Sequence, residues 1–414
     1  MRTLLLFLSA FSAFCALCAA ITLPPQEITF SNSGGNTGDN FGLSVSIDNG
    51  LVVVGAPNHM VSVSNQGEAY FYDCSNPPCL ALGTMVPADA ASGDHFGTAV
   101  YISGNCAYVG SPAKGSNTGE AYYFFCDSGG CTQQSTMTKT IGASSGDFFG
   151  SAISAHAFSV AVGAYGSNGT GQVFMYVCDT EPCSLLQAFA ANDSQIGDNF
   201  GFAVDYSSSA YLLVVGANGG QGRAYLFDCH VGGICSYLDT LVPSSGVHST
   251  DSFGTSVALS GTTVVIGAPS FQTGGVPTGA AFVFDCSSIP CQETSVLVGA
   301  NSALGDQFGF SVSISGYTVV VGAPNHATNR QEEQGEAYVF DCTILSACVE
   351  LSDLFSTSGG AGDQFGRSVS ISGYTILVSA PTAEVIPNPT QGFSYIWGLF
   401  LFLSFFLSFP FLFP

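Results

Sequence analysis

One phrase recurs along nearly the whole chain at an almost constant interval, and it constrains the fold more than any other feature. Residues 305–324 read GDQFGFSVSISGYTVVVGAP, and residues 362–381 read GDQFGRSVSISGYTILVSAP. Looser versions of Gly-Asp-x-Phe-Gly, one of which begins with Thr250, raise the number of copies to seven. Their phenylalanines are 51 to 57 residues apart, which predicts one repeat array in which only loop lengths vary. The aspartate and phenylalanine of the successive copies are Asp39 and Phe41, Asp94 and Phe96, Asp147 and Phe149, Asp198 and Phe200, Asp251 and Phe253, Asp306 and Phe308, and Asp363 and Phe365.

Each repeat has the residue pattern of β-strands. The segment SVSIS at 311–315 alternates small polar and branched residues, whereas TVVVGAP at 318–324 and EAYVF at 336–340 are apolar on both faces and must be covered on both sides. A weaker fourth strand follows, as in CSLLQAFAA at 183–191. Four such strands and their turns fit one period. The sequence therefore predicts an all-β fold, a seven-bladed β-propeller of four-stranded antiparallel blades.

The ends of the array predict how the ring closes. The last repeat has no recognisable fourth strand, while QEITF at 26–30 stands just before the first Gly-Asp turn. The N-terminal segment is therefore expected to complete blade seven. The predicted organisation is a signal peptide at 1–20, the propeller at 21–397 and a hydrophobic tail at 398–414.

The tail, GLFLFLSFFLSFPFLFP, is apolar and uncharged, and it replaces the polar hairpin of the other repeats. An anchor signal, a membrane segment, an artefact of the gene model and an ordinary buried strand all stay open as interpretations. Membrane attachment through this tail is one of the expectations that follow.

Within the repeated phrase, the residues are expected to build a blade. Glycine before aspartate permits the positive φ of a tight turn, and the aspartate can accept backbone N–H groups there. The phenylalanine is expected to be buried against the neighbouring blade, where it contributes about 2 kcal/mol.

The cysteines predict hairpin disulfides. Thirteen follow the signal segment, and twelve of them form close pairs between two strand-like runs. Such spacing can place two Cα atoms opposite each other at about 5.5 Å. Zinc binding is disfavoured because the pairs would lie one per repeat and far apart. The predicted bridges are Cys74–Cys79, Cys126–Cys131, Cys178–Cys183, Cys229–Cys235, Cys286–Cys291 and Cys342–Cys348.

The charge balance excludes one class of partner. The formal net charge is −23, from 29 acidic and only six basic residues, so nothing could neutralise the phosphates of a nucleic acid. The sequence also predicts no catalytic residues, no metal site and no cofactor.

The combination of Phe-Gly and Gly-Ala-Pro signatures in sevenfold repetition resembles the FG-GAP repeats of the integrin α-subunit β-propeller. The resemblance implies a secreted or cell-surface propeller that recognises an extracellular protein or glycan through loops on one face. Integrin propellers insert calcium loops between the Phe-Gly and Gly-Ala-Pro strands. Here that connection is a turn of a few residues, as in SISGYTVVV, so calcium is not carried over.

Variable loops on a rigid frame are where recognition tends to occur. The long loops are 58–66, 270–278, 325–334 and 382–391, and the six scattered histidines are expected to be exposed in loops. Asn168 and Asn192 are predicted glycosylation sites on the same face. The candidate ligand-face residues are Asn58, His59, Phe271, Asn325, His326, Glu332 and Glu333.

Two other functions stay open at this point. A lectin would show repeated aromatic and Asn or Asp pairs at equivalent loop positions. A propeller hydrolase or lyase would need His, Asp or Glu converging from several innermost strands, whereas SVSIS, TAVYI and SAISA offer mostly serine and alanine.

Overall fold

The computed structural model describes residues 27–32, 34–76, 78–140, 142–207, 210–230, 234–246, 248–327, 333–384 and 391–398. Seven four-stranded antiparallel sheets are present, and the innermost strand of each contacts the innermost strands of both neighbours around a closed ring. The predicted seven-bladed propeller is confirmed.

The first strand, β1 (Ile28–Phe30), belongs to the last blade, and the next twelve strands form blades 1 to 3 in chain order. Blade 1 contains β2 (Ser44–Asp48), β3 (Leu51–Ala56), β4 (Glu68–Asp73) and β5 (Leu80–Met85). Blade 2 contains β6 (Ala99–Ser103), β7 (Cys106–Ser111), β8 (Glu120–Asp127) and β9 (Gly130–Met137). Blade 3 contains β10 (Ala152–His156), β11 (Ser159–Ala164), β12 (Gln172–Val177) and β13 (Ser184–Phe189).

Blades 4 to 6 follow the same order, and blade 5 has a small additional hairpin. Blade 4 contains β14 (Phe200–Ser207), β15 (Leu212–Ala217), β16 (Arg223–Cys229) and β17 (Cys235–Leu241). Blade 5 contains β18 (Ser256–Ser260), β19 (Thr263–Ala268), β22 (Ala280–Asp285) and β23 (Gln292–Leu297), with the hairpin β20 (Gln272–Thr273) and β21 (Val276–Pro277) between its second and third strands. Blade 6 contains β24 (Ser311–Ser315), β25 (Thr318–Ala323), β26 (Glu336–Asp341) and β27 (Val349–Leu354).

Blade 7 closes the ring with both ends of the described chain. It contains β28 (Val369–Ser372), β29 (Thr375–Ala380) and β30 (Phe393–Gly398), and β1 pairs with β30 as its fourth strand. Ile28 lies opposite Ile396 in this pairing. The predicted closure by the N-terminal segment is confirmed, and β30 continues one residue past the predicted boundary at 397. Gln26, the predicted signal peptide and residues 399–414 of the tail lie outside the described residues.

Helical structure in the described part of the chain is confined to single turns at Lys114–Asn117, Ser167–Gly169 and Leu345–Ala347. No helix within these described ranges is long and apolar enough to cross a membrane.

The propeller has two different faces. Connections from second to third strands, and from each fourth strand to the next blade, lie at one end of the blades, which we call the loop face. First-to-second turns and the disulfide hairpins lie at the opposite end, the hairpin face. The loops 58–66, 270–278, 325–334 and 382–391 therefore share the loop face, as expected, although residues 328–332 and 385–390 lie outside the described ranges.

The core lies between blades rather than inside one of them. Every residue of β15 and β19 is buried, whereas β13 alternates between exposed and half-buried residues. The repeat phenylalanine is completely buried in all seven blades. Phe96 of blade 2, for example, packs with Phe71 and Met85 of blade 1. This confirms the predicted role of the phenylalanine, because each copy fills the seam with the preceding blade.

All six predicted disulfides are present. Their Cα atoms are 4.0 to 4.3 Å apart rather than the expected 5.5 Å, a spacing closer to that of a non-hydrogen-bonded pair. The remaining cysteine, Cys106, is free and half-buried beside Tyr123.

A ring of serines joins the innermost strands. At six of the seven junctions, backbone N–H groups of one first strand or its turn donate to serine or aspartate side chains of the preceding blade, at 2.7 to 3.2 Å. Ile102 of blade 2, for instance, donates to Oγ of Ser46 in blade 1. These N–H groups belong to sheet edges that face the axis, so the alternating serines supply acceptors that a neighbouring strand would otherwise provide.

Replacing one serine of this ring is expected to destabilise the propeller. Ser46→Ala leaves the buried N–H of Ile102 without its acceptor, so we expect the free energy of unfolding to fall by about 1–3 kcal/mol. The measurement is denaturant unfolding. Ser315→Ala is the matched control because its partner, the N–H of Gly373, lies in an exposed contact that water can replace. Equal losses in both variants would contradict this role for the buried serine.

Candidate functional site

In every blade the repeat aspartate fixes the turn that leads into the loop face. Its Oδ2 accepts the backbone N–H of the residue three positions earlier at 2.5 to 2.7 Å. This confirms the acceptor role expected from the sequence. The residue after the aspartate adopts left-handed backbone in all seven copies, a feature that the sequence analysis missed: Asn40, His95, Phe148, Asn199, Ser252, Gln307 and Gln364.

The loops of adjacent blades are joined at these turns. At five of the seven junctions, the glycine that precedes the third strand of one blade forms a parallel bridge with the repeat phenylalanine of the next, as between Gly67 and Phe96 or between Gly335 and Phe365. A side chain at Gly67 would stand 2.1 Å from the carbonyl oxygen of Phe96, so only glycine permits this approach. At these five junctions, the loop of one blade therefore rests on the next blade.

His59 lies beneath the loop face in blade 1. Its Nδ1 is 2.6 Å from Oδ2 of Asp39, and its Nε2 is 3.4 Å from Oε2 of Glu68. The hydroxyl of Tyr70 donates to the same Glu68 oxygen, and the amide of Asn32 donates to that hydroxyl. The hydrogen bond to Asp39 raises the pKa of His59, with help from both negative charges, although burial opposes the rise.

Blade 6 contains the same arrangement. His326 lies between Oδ2 of Asp306, at 2.8 Å from Nδ1, and Oε2 of Glu336, at 3.1 Å from Nε2. Tyr338 and Asn301 both donate to Glu336. Burial lowers the pKa of His326, but the hydrogen bond to Asp306 and the surrounding carboxylates outweigh it, so the net pKa is raised.

The expectation of exposed histidines was therefore wrong for His59 and His326, which are only 8% and 6% exposed. Each ring is drawn inward because it bridges the aspartate of its turn and the glutamate that opens the third strand. The sequence carries a signal for this arrangement: both histidines follow the repeat aspartate by 20 residues and precede a glutamate by nine or ten.

In blades 2 and 3, a lysine pairs with the repeat aspartate in place of the histidine. In blade 2, Nζ of Lys114 is 3.3 Å from Oδ2 of Asp94, and in blade 3 Nζ of Lys139 is 2.8 Å from Oδ2 of Asp147. The Lys139 side chain is 2% exposed. The cationic groups near these four turns are thus used inside the protein and are not offered to a ligand.

The structure brings together few of the other candidate residues. Phe271 is half-buried and packs against Phe282 with ring centroids 5.1 Å apart, so it anchors its loop. Asn58 is half-buried and its Oδ1 is 3.0 Å from Nδ1 of His95. Asn325 is half-buried, Glu333 is exposed, and Glu332 lies outside the described residues.

Asn168 and Asn192 are both exposed on the loop face. Their glycosylation stays a prediction.

A loop of blade 1 presents apolar side chains to solvent. Met60, Val61 and Val63 are 54%, 47% and 38% exposed. The loop is nevertheless held in one conformation, because Oε1 of the buried Gln66 accepts the backbone N–H and the hydroxyl of Ser62 at 3.2 and 2.9 Å. An ordered loop with exposed apolar groups is suited to binding a macromolecule.

A second group of residues lines a cavity of about 280 Å³ at the hairpin-face end of the axis. It includes His156, Tyr101 and Asp205. Sequence reasoning named only His156 among these, as one of the six histidines, and missed Asp205. This aspartate occupies a position of the first strand where most blades have serine. Its oxygens accept the hydroxyl of Ser154 at 2.8 Å and the N–H of Leu259 at 2.7 Å. Burial raises the pKa of Asp205 to about 6, although these hydrogen bonds oppose the rise.

Within the described residues, no group of three or more His, Cys, Asp and Glu side chains is arranged to hold a metal ion. In the two histidine clusters, each ring nitrogen already faces a carboxylate.

The histidine clusters predict a specific pH dependence of stability. Because the folded pKa of each ring is raised, the contribution to stability is complete below the ordinary value of 6.5 and is lost as the pH rises through the folded pKa. We therefore expect the melting temperature to fall as the pH is raised from 6 towards 9. Asp353 adds to the field around His326 and strengthens the effect there.

The double variant His59→Gln/His326→Gln is expected to be less stable overall and to lose most of that slope between pH 6 and 9. Thermal unfolding monitored by circular dichroism measures both. His248→Gln is the control because that side chain is 83% exposed. A slope that survives in the double variant would show that other groups control it.

Comparison with known proteins identifies a family. The FG-GAP repeat family matches residues 25–72, 82–124, 239–284, 292–340 and 349–397, which together exceed half of the chain. The crystal structure of Saccharomyces cerevisiae Sqt1 is similar over 90% of this chain and 98% of its own, with a TM-score of 0.48 and 12% sequence identity. No curated protein matches the sequence significantly.

Proposed function

The chain belongs to the FG-GAP repeat family, and on that premise we propose that it is an extracellular, non-enzymatic binding module that recognises a protein partner through its loop face. FG-GAP domains and multiple disulfides are typical of extracellular proteins, and this chain has six such bridges. Attachment to a membrane, through the segment that follows residue 398, is part of the same proposal and concerns residues outside the described ranges.

One observation carries the assignment to the loop face: the fixed loop of blade 1 with its exposed Met60, Val61 and Val63. Its base is tied by the N–H of Gly67 to the carbonyl of His59 at 3.0 Å, and its tip by the N–H of Gly93 in blade 2 to the carbonyl of Ser64 at 3.1 Å. A partner that covers these side chains would bury apolar surface without first ordering the loop, which favours affinity.

A glycan ligand is the second candidate. The rings of Phe148 and Tyr165 on the loop face are stacked with centroids 4.8 Å apart and an interplanar angle of 7°, and Phe202 lies 5.4 Å from Tyr165. All three side chains are half-buried, so their outer parts offer an aromatic platform. A lectin would use such a platform for a sugar ring.

The non-enzymatic assignment is supported by the use of Asp205, the acidic group nearest the axis in blade 4. Both of its oxygens accept hydrogen bonds that hold neighbouring strands together. FG-GAP propellers are typically non-catalytic, in agreement with a structural role for this carboxylate. An axial hydrolase or lyase would need such a carboxylate to be available to substrate.

The test is binding of the purified protein to arrayed extracellular proteins and arrayed glycans. We expect a protein ligand whose affinity falls by at least about tenfold in the triple variant Met60→Ser/Val61→Ser/Val63→Ser. The matched control is Tyr317→Ser/Tyr374→Ser, which removes side chains that are 52% and 57% exposed on the hairpin face.

If the control variant weakens binding as much as the triple variant does, the assignment of binding to the loop face is contradicted. Binding to glycans alone would favour the lectin, and the variant Tyr165→Ser would then be the decisive one. Failure against both arrays would contradict a binding function.

A further inference from the structure

The loop-face end of the propeller axis contains a cavity of about 380 Å³. The residue that follows each Phe-Gly pair lines it, so all seven blades contribute the same position of the repeat. Six of these positions hold uncharged residues: Leu43, Thr98, Ser151, Phe202, Thr255 and Phe310. The seventh is Arg367. It is also the first difference between the two longest copies of the repeat, which have phenylalanine at 310 and arginine at 367.

The guanidinium of Arg367 has no acidic partner among the described residues. It stacks over the ring of Phe310 at 4.2 Å from the centroid, and no described carboxylate lies within 4.0 Å of it. The other basic side chains of the described ranges, Lys114, Lys139 and Arg223, each form an ion pair with an aspartate. Burial lowers the pKa of Arg367, but an arginine remains charged at neutral pH.

The cavity wall contains no acidic residue, although the chain has 29 of them. A single guanidinium in a partly desolvated, otherwise uncharged cavity attracts an anion more strongly than it would in open solvent. Its five N–H donors form a planar fork that matches a carboxylate in two parallel hydrogen bonds. The aromatic and aliphatic side chains around it provide apolar contact for the rest of a ligand.

Closure of the ring does not require a charged residue at position 367. The equivalent positions in the other six blades are occupied by Leu, Thr, Ser and Phe, and the ring is closed there as well. A side chain such as Phe310 fills the position without a charge.

We propose that the loop-face end of the axis binds a single carboxylate attached to an apolar body, as presented by a peptide, with Arg367 as its hydrogen-bonding partner and Phe310, Phe202 and Leu43 as its apolar wall. The inference rests on the proposed function, since it names the chemistry recognised at the same face. A polyanion is disfavoured because the net charge of −23 repels multiple negative charges. A ligand with a single carboxylate can bind the one local cation and carries no further negative charges to be repelled.

The experiment is an NMR and calorimetric titration of the whole purified protein with small probes. N-acetylphenylalanine offers a terminal carboxylate, and N-acetyl-Phe-Glu-amide offers a side-chain carboxylate. N-acetyl-Phe-Gln-amide is the neutral match, while N-acetylneuraminate and inorganic phosphate represent a glycan acid and a plain anion. The variants are Arg367→Gln and Arg367→Lys, with Arg223→Gln as the control at another loop-face arginine.

We expect at least one peptide carboxylate to bind, the neutral probe to bind at least about tenfold more weakly, and Arg367→Gln to reduce carboxylate affinity by a similar factor. The ratio between the two carboxylate probes identifies the source. Arg367→Lys should retain only part of the affinity, and Arg223→Gln all of it. Because Gln is uncharged like the residues of the other blades, the variant should fold, which its circular dichroism and melting temperature verify.

The inference is overturned if no carboxylate binds, if binding persists in Arg367→Gln, or if only N-acetylneuraminate or phosphate binds. It fails independently of the proposed function. If a protein ligand is lost in the triple variant of Met60, Val61 and Val63 but still binds Arg367→Gln, the proposed function stands and the carboxylate site is contradicted. If a carboxylate probe binds but no protein or glycan ligand is found on the arrays, the axial site stands and the proposed function is contradicted.

Discussion

The backbone N–H groups of the innermost strands need acceptors, and no further strand is available at the axis. At six of the seven junctions, serine or aspartate side chains of the preceding blade provide them, so the hydrogen bonding of those first strands is complete only when the preceding blade is in place. The same dependence governs the apolar core, since each repeat phenylalanine is buried in a seam between two blades. The alternating small polar and branched residues of the first strands satisfy both requirements at once, with one set facing the axis and the other facing the seam.

The loop face is built on internal neutralisation. Aspartates that shape the turns are matched by His59 and His326 in two blades and by Lys114 and Lys139 in two others. Among the described residues, the loop face presents apolar and polar side chains, the exposed Glu333 and the Arg223–Asp193 ion pair, together with one guanidinium at the axis, that of Arg367. The opposite end of the axis has the reverse sign, with Asp205 in its cavity. A strongly acidic protein thus keeps a small positive site at the centre of its loop face.

The fold could be predicted almost completely from the sequence because its determinants are local and repeated. The number of repeat copies gave the number of blades, and the period gave four strands for each blade. The strands that are apolar on both faces required neighbours on both sides, and the missing last strand identified the role of β1. The environment of His59 could not be predicted in this way. Its partners, Asp39 and Glu68, lie 20 and nine residues away on separate segments. The sequence around His59 is typical of an exposed loop, but the ring points below the loop surface, where it contacts both carboxylates.

The same limit applies to Asp205 and Arg367. Each is a single departure at one position of a repeat, and its meaning depends on which side chains from other blades surround it. Only the closed ring places seven equivalent positions around one cavity, where an arginine among uncharged residues becomes distinctive. The serines presented a related difficulty, because their pattern indicates a strand but not the partner of the hydroxyl.

The pairing of β1 with β30 determines how the protein can be attached to anything else. β30 runs from the loop face to the hairpin face, and β1 runs antiparallel beside it, with Ile28 opposite Ile396. The polypeptide therefore enters at residue 27 and leaves at residue 398 from neighbouring points on the hairpin face. A tether or additional domain joined directly to residue 27 or to residue 398 would therefore be attached at this one corner of blade 7, on the face opposite the loop face.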